Sequence, residues 1–430
     1  MSNQTLARDA VLYTLPLYEM ARMRSATSPR RNASGAFADA SGGPESTLRW
    51  VNLFSHSRQL LGPADRRVVT PNNDTLYTNA WLDLSHGPLL IHAPDTGSRY
   101  YVLGFLDFYT NPFAYSGTRS TGTHAQTLFV HGRGWHGVVP AGMIEIASPT
   151  DHVWVVGRIL ANADEDLEPV HVLQNALQIV SAINPNVQLA ASIVDTGLQP
   201  REVLGDPAIF LQVVRREMAR NPPPAADARM VEEFALVGVG VEVPTAEQLH
   251  LIGDALQVVL KELDAPEPSS FGGGWSMFSD VQKSFGNDWY MRAMVARGYI
   301  GMLGIEEVMY LMAHADSKQI QLDGRRTYQL RFEPSAWPQA AAFWSLTVYR
   351  SADCMLVDNA MQRYSIGDRT PDLQTDADGG LTIKIGHIPP ASTTNWLPAP
   401  NEAFYVALRL YLPAACHLER SFAYPPIVAI

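Results

Sequence analysis

The chain has 430 residues, too many for one ordinary core, so two to four domains are expected. With 46% hydrophobic and 17% charged residues it has the balance of a globular protein, not of a disordered one. A net charge of -11, from 32 basic and 43 acidic residues, argues against nucleic acid and anionic membranes as partners, yet leaves room for a small anion held by one or two buried arginines.

Residues 4–24 read as an amphipathic helix carrying Leu6, Ala10, Tyr13, Leu17 and Met20, with a kink expected at Pro16. Asp9, Pro16 and Glu19 interrupt the apolar run, so no signal peptide is expected. No uncharged stretch is long enough to span a bilayer, and the cytoplasm is the expected location. Residues 25–46, rich in Ser, Ala and Gly, read as a mobile loop, and a short segment from Trp50 to Leu61 follows. From Val68 to about Leu160 the pattern turns to short strands at 75–84, 88–92, 99–109, 126–131 and 152–160, as in a sandwich or barrel. From about Asp164 to Ala315 the period is helical, with segments at 169–183, 201–220, 228–236, 245–264 and 287–313. Pro222 to Pro224 and Pro266-Glu267-Pro268 break that run, and residues 269–275 (SSFGGGW) make a flexible joint. Strands return at 326–333, 342–350, 380–388 and 403–412. The plan is a helical segment and loop over 1–67, a β block over 68–163, a helical region over 164–320 and a second β block over 321–430.

Strand residues alternate between faces. Over 75–84 one face is Leu76, Thr78, Ala80, Leu82 and Leu84, a core face. The other is Thr75, Tyr77, Asn79, Trp81 and Asp83, a mixture that suits a ligand-lined concavity, a subunit interface or a solvated face. Over 99–109, Tyr101, Leu103 and Phe105 oppose Tyr100, Val102, Leu106 and Phe108, as in a central strand covered on both sides. The end of that strand brings Asp107, Tyr109 and Asn111 together, a carboxylate beside a phenol and an amide, and Asn73 and Asp74 are expected near it. The bland alternative is a turn in which Asx side chains bond their own backbone. Over 403–412 an apolar face (Phe404, Val406, Leu408, Leu410, Leu412) opposes Tyr405, Arg409 and Tyr411. Arg409 could stack on a ring and offer its fork to a carboxylate, or close an interstrand ion pair. Arg363, Ser365, Asp368 and Arg369 lie together in one loop and Asn395-Trp396 in another, forming a polar rim or a staple between loops.

Other motifs are absent. No His-Glu-x-x-His or Walker loop occurs. The Gly117–Gly122 stretch misses the nucleophile-elbow spacing, and Gly238-Val239-Gly240 lacks a third glycine. Cys354 and Cys416 are too few for a disulfide framework or a four-thiolate zinc site. His124, His131 and His136 are spaced too widely for a local metal motif, though His131 and His136 could meet across a hairpin.

The segments TPNNDTLY (70–77), RYYVL and DFYTN (within 99–111) and GTRSTG (117–122) resemble domain-of-unknown-function family 1254. AFWSLTVY (342–349), RYSIGDRT (363–370), NWLPAP (395–400) and RLYLP (409–413) resemble its companion, family 1214. The resemblance implies a multidomain α+β protein with two jelly-roll-like β-sandwiches separated by a helical region, and a homo-oligomer, a trimer. It implies no settled reaction or cofactor. Many relatives look exported, a pattern from which this N-terminus departs.

Three functions follow as expectations. The first is a small-molecule enzyme without a redox cofactor, of lyase, isomerase or hydrolase type. Asp74 or Asp107 would be the general base or acid, with Tyr77 or Tyr109 as the second proton-transfer group, and Asn73, Trp81, Asn111, Arg119, Arg363, Asn395 and Arg409 would bind substrate. The second is a ligand-binding or assembly protein that uses the same aromatic-polar faces without turnover. The third is a metal-dependent enzyme built on His124, His131 or His136 with a carboxylate.

Overall fold

The helical pattern at the N-terminus gives the helix Asn3–Thr27, started by Ser2, whose hydroxyl accepts the Thr5 N–H at 3.2 Å. Burial runs around the whole helix, Thr14 and Glu19 included, where the pattern had suggested one apolar face. Such a helix belongs in the middle of a layer, and Pro207–Arg220, Ala246–Leu263 and Trp289–Gly298 pack around it. The computed structural model describes residues 2–28, 30–31, 37–38, 48–66, 69–163, 166–184, 191–194, 204–278 and 284–430. The stretch read as a loop at 25–46 lies largely outside them.

The first β block forms a five-stranded sheet, in the order Phe54–His56, Thr75–Asp83, His152–Leu160, Tyr101–Asp107 and Pro112–Gly117. A four-stranded sheet, in the order Ile144–Ala147, Gln126–His131, Leu89–Ala93 and Gln178–Ser181, covers one of its faces. Leu76, Ala80, Leu82, Leu103 and Phe105 share that core with Ile91, Leu128 and Val130. The other face carries Trp81, Tyr100, Val102, Phe108 and Trp154 into a second core, which the helical layer completes. Both faces are therefore covered, as the alternation along 99–109 requires.

The second β block repeats the plan. A six-stranded sheet runs Ser269–Gly272, Trp275–Met277, Val308–Ala313, Phe404–Pro413, Ala340–Arg350 and Ser365–Gly367. A four-stranded sheet of Trp396–Pro398, Leu381–Gly386, Tyr328–Phe332 and Val428–Ala429 closes its core, into which Phe404, Val406, Leu408 and Leu410 point. Leu412 leaves that alternation: its backbone turns left-handed (φ 55°) and it joins the helical core instead.

Two helical expectations need correction. The segment read as one helix over 287–313 is the helix Trp289–Gly298 followed by the strand Val308–Ala313. Residues 169–183 divide into the helix Leu167–Ala176 and the strand Gln178–Ser181. Short apolar runs such as VMYLMA carry no period that separates strand from buried helix. The decision comes from pairing, because Val308–Ala313 bonds antiparallel to Phe404–Pro413 along six residue pairs. The result is a mixed α+β protein in which no described sheet closes into a barrel. Among the described residues no helix is long and apolar enough to cross a membrane.

Candidate functional site

The turn at 70–74 is the hinge pin of the molecule. Thr70 is left-handed (φ 50°), Pro71 fixes the next dihedral, and the Asn72 Oδ1 accepts the Asp74 N–H at 2.7 Å, an Asx turn. That geometry aims the remaining polar groups away from their own block and onto the six-stranded sheet of the second. Asn72 Nδ2 donates to the Tyr411 hydroxyl at 2.8 Å, and the Tyr349 hydroxyl donates to the Pro71 carbonyl at 2.7 Å. The Thr70 and Tyr405 hydroxyls share a 2.7 Å bond, and the Thr70 carbonyl accepts from Arg409 Nη2 at 3.2 Å. Asp74 is 2% exposed and spends both oxygens on the second block: Oδ1 on Arg369 Nη2 at 2.5 Å and Oδ2 on the Ser345 hydroxyl at 2.7 Å. Asn73 points the other way and donates to the Leu61 carbonyl.

Two cross-strand pairs meet over this turn. In the first block Arg158 lies opposite Tyr77 in register, and in the second Arg409 lies opposite Tyr310. Arg158 Nη1 crosses the seam and donates to the Tyr310 hydroxyl. Both guanidiniums stand near the Tyr310 ring, at 5.9 Å for Arg158 and 5.8 Å for Arg409, and Arg158 also lies 5.6 Å from the Tyr77 ring. Arg409 donates to the Thr347 and Tyr349 hydroxyls as well. Tyr411, Tyr100 and Phe343 stack beside them. At the rim the Tyr100 hydroxyl and Arg119 Nε each reach Glu307 at 2.8 Å. Tyr77 and Tyr310 are half-buried, so the seam opens to solvent on their side.

Burial sets the ionisation here. It raises the Tyr310 pKa, with Arg158 opposing, so the phenol keeps its proton at neutral pH. Burial likewise pushes Tyr349 up to about 12 and raises Tyr100 and Tyr411 further. For Arg158, burial works against the charge, but the oxygens of Tyr310, Tyr77, Tyr411 and Tyr100 more than offset it. Arg409 is kept charged in the same way by Tyr349, Tyr411 and Asp74. Burial raises Glu307 above the usual carboxylate range.

The expected residues thus fall into three places. Asp74, Tyr77 and Arg409 are in the seam, with Arg119 at its rim. Asp107 is not near Asp74: it pairs with Val153, whereas Thr75 beside Asp74 pairs with Leu160, at the other end of the same strand, roughly 23 Å away at strand rise. Asp107 instead accepts from the backbone of Tyr109 and from the backbone and side chain of Asn111, each at 2.9 Å, which is the Asx turn of the bland alternative. Burial raises its pKa. The Tyr109 hydroxyl donates to the Asn221 carbonyl under the helical layer. Trp81 stacks on Trp154 at 5.0 Å and donates to Thr27. Arg363 bonds the carbonyls of Thr393, Thr394 and Trp396, while Asn395 bonds those of Gln374 and Thr382, so both staple loops of the second block. The sequence reading missed Arg158 and Tyr310. The signal for Arg158 was a lone charge inside the apolar strand HVWVVGRIL; Tyr310 was hidden by the helical reading of its strand.

His131 bonds Glu145 at 3.0 Å and His124 pairs with Asp95 at 3.3 Å, and His131 stacks against Trp135. Among the described residues no three His, Cys, Asp or Glu side chains gather as a metal site would need. Two clefts lie away from the seam, one of about 360 Å³ beside Asp83, Asp151, His152 and Arg220, the other of about 230 Å³ beside Arg331 and Pro425.

Residues 51–181 match the family described as protein of unknown function (DUF1254), and residues 307–415 match protein of unknown function (DUF1214). Both families named from the sequence are therefore present, in the order and places expected. No curated protein matches the chain. The crystal structure of the VPA0106 protein from Vibrio parahaemolyticus is similar over 100% of both chains, with a TM-score of 0.74 and 24% identity, which shows the fold alone. An uncharacterized protein from Burkholderia cenocepacia aligns over 100% of this chain and 94% of its own, with a TM-score of 0.42 and 10% identity.

Proposed function

We propose that this chain, a DUF1254 segment followed by a DUF1214 segment, is a small-molecule enzyme of the acid–base kind, working at the seam between the two segments without a redox cofactor. The observation that carries the reading is the Arg158–Tyr310 pair: a phenol that keeps its proton, held by a buried guanidinium at the half-open edge of an otherwise buried seam. A phenol so placed can give a proton to a substrate oxygen or carbanion, and the adjacent cation steadies the phenolate left behind. Tyr77 stands on the other side of Arg158 as the second proton-transfer group. Asp74, with both oxygens occupied, positions Arg369 and Ser345 rather than acting as a free base. Lyase and isomerase chemistry fit this set, since both need a proton placed and an oxyanion held.

The competing reading is binding without turnover, and the full pairing of Asp74 favours it. The two separate in one experiment. Purified protein is incubated with a small-metabolite extract, and each compound is followed by mass spectrometry. The enzyme reading expects at least one compound to be consumed, and Tyr310→Phe to slow its consumption by roughly 100-fold while its circular-dichroism spectrum stays that of the wild type. A compound retained but unchanged by the wild type would make the protein a binder.

A further inference from the structure

Resting on that reading of the seam, we infer that the substrate is a small carboxylate with a flat apolar body, its charge taken by Arg158 and supported by Arg409. The argument is one of charge. Four guanidiniums converge on the seam: Arg119, Arg158, Arg369 and Arg409. Among the described residues two buried carboxylates face them. Asp74 gives its oxygens to Arg369 and Ser345, and Glu307 gives its own to Tyr100 and Arg119. Glu306 lies farther out and bonds Arg119, and Asp368 is exposed, accepting from the Trp344 backbone. Arg158 is 5% exposed and Arg409 1% exposed, and among the described residues neither forms an ion pair. Asp74 lends its charge to Arg409, but the phenols around Arg158 are neutral at physiological pH, so they solvate that cation without balancing it.

The hydrogen bonds say where the missing anion goes. Arg158 uses Nη1 on Tyr310. Among the described residues its Nε is buried with no partner, and no bond uses Nη2. Nε and Nη2 form the side edge of the guanidinium, the fork that takes both oxygens of a carboxylate. Arg409 has already spent Nη1 and Nη2 on Thr347, Tyr349 and the Thr70 carbonyl, so it contributes charge rather than a fork. One open fork matches a monoanion better than a phosphate, which would need several donors to replace its hydration. Around the fork are the rings of Tyr77, Tyr310, Tyr100 and Tyr411, so the body behind the carboxylate is flat and apolar. The half-buried Tyr77 and Tyr310 mark the way in.

The test uses the full chain and three probes: benzoate, its neutral isostere benzyl alcohol, and inorganic phosphate. Calorimetry should show benzoate binding at one site per chain, benzyl alcohol and phosphate binding at least about tenfold more weakly, and Arg158→Met weakening benzoate by at least about tenfold. Arg158→Lys should not restore it, because an ammonium lacks the fork. Should Arg158→Met fail to fold, wild-type crystals soaked in 4-bromobenzoate give the same answer through the anomalous position of bromine, expected beside Tyr77 and Tyr310. Benzoate binding no tighter than benzyl alcohol, or bromine located elsewhere, overturns the inference. Turnover is read separately. Tyr310-dependent consumption of a neutral compound without benzoate binding would sink the carboxylate and keep the enzyme. Benzoate binding without any turnover would keep the carboxylate and sink the enzyme.

Discussion

His417 is fully buried, and its surroundings fix its protonation. Its Nε2 accepts the Gln339 N–H at 3.0 Å and its Nδ1 lies 2.6 Å from the Tyr424 hydroxyl, so the neutral ring carries its proton on Nδ1 and donates it to the phenol. A second proton would set Nε2–H against an N–H, and burial lowers the pKa to about 4. In the unfolded chain the same ring titrates near its ordinary value of about 6.5. Between those two values the unfolded state holds more protons, so stability rises with pH across the window and is lost as pH falls through it. From pH 7 to pH 4 His417 should remove on the order of 3 kcal/mol of stability. Urea unfolding at a series of pH values reads this as a slope that flattens in His417→Gln; an unchanged slope would show that the ring does not control it. Single residues of this kind were the least legible part of the sequence. A histidine or arginine announces its chemistry but not its partner: Tyr310 on Arg158, Ser345 and Arg369 on Asp74, and the Gln339 N–H on His417 all come from distant segments. Asp107 illustrates the converse: its partners Tyr109 and Asn111 lie two and four residues on, and the turn they form was the alternative to the proton-transfer role expected of it.

The short strand Ser365–Gly367 shows how an element carries a site residue. It pairs with Ala340–Arg350, placing Gly367 opposite Ser345, and the two residues after it bring Arg369 over Asp74. A Cβ at Gly367 would come within 2.1 Å of the Trp344 carbonyl oxygen and 3.1 Å of the Ser345 Cα, both backbone. Gly367→Ala must therefore lift the strand off its neighbour and pull Arg369 from Asp74, a loss of about 3 kcal/mol by the usual scale of overpacking. Gly253→Ala is the matched control. It sits inside the helix Ala246–Leu263 with only the Pro207 Cγ near, at 3.6 Å, so helix propensity should make it stabilising by about 0.5–1 kcal/mol. Opposite signs in paired urea titrations are the expected result, and a neutral Gly367→Ala would mean that the edge strand does not hold Arg369. Elements were far more legible than side-chain partners. Strict alternation assigned both faces of Thr75–Asp83 and all but the end of Phe404–Pro413, because in each strand one face is mostly aliphatic and the other mixes rings with polar groups. Val308–Ala313 defeated the same reading, since VMYLMA is apolar at nearly every position and shows no alternation in residue type although Tyr310 and Met312 are less buried than their neighbours; Gly298, Gly301 and Gly304 were the signal that the helix had ended.

At the scale of the molecule, the two family segments share one seam, and that predicts how the chain unfolds. Residues 70–74 bond to residues 345–411 across sequence separations of 271 to 339, beyond what a single sequence can reveal. The first β block and the second also share the helical core, to which Trp81, Tyr100 and Trp154 come from one and Val308, Phe343 and Tyr411 from the other. Separated, the second block would expose Tyr349, Tyr405, Arg409 and Tyr411 on one sheet face, a patch of rings around a cation that water covers poorly. Tryptophan fluorescence, which samples Trp81 and Trp154 in the first block and Trp344 and Trp396 in the second, should therefore follow one urea transition that coincides with the circular-dichroism transition. Asp74→Asn should move that single transition to lower urea by about 2 kcal/mol, because Arg369 keeps some access to water when its partner loses charge. If the segments were independent domains touching at a surface, the same substitution would leave the midpoint in place or split the transition in two. A split would also remove the seam as a site, since a pocket built half from each segment must be as rigid as the contact that makes it.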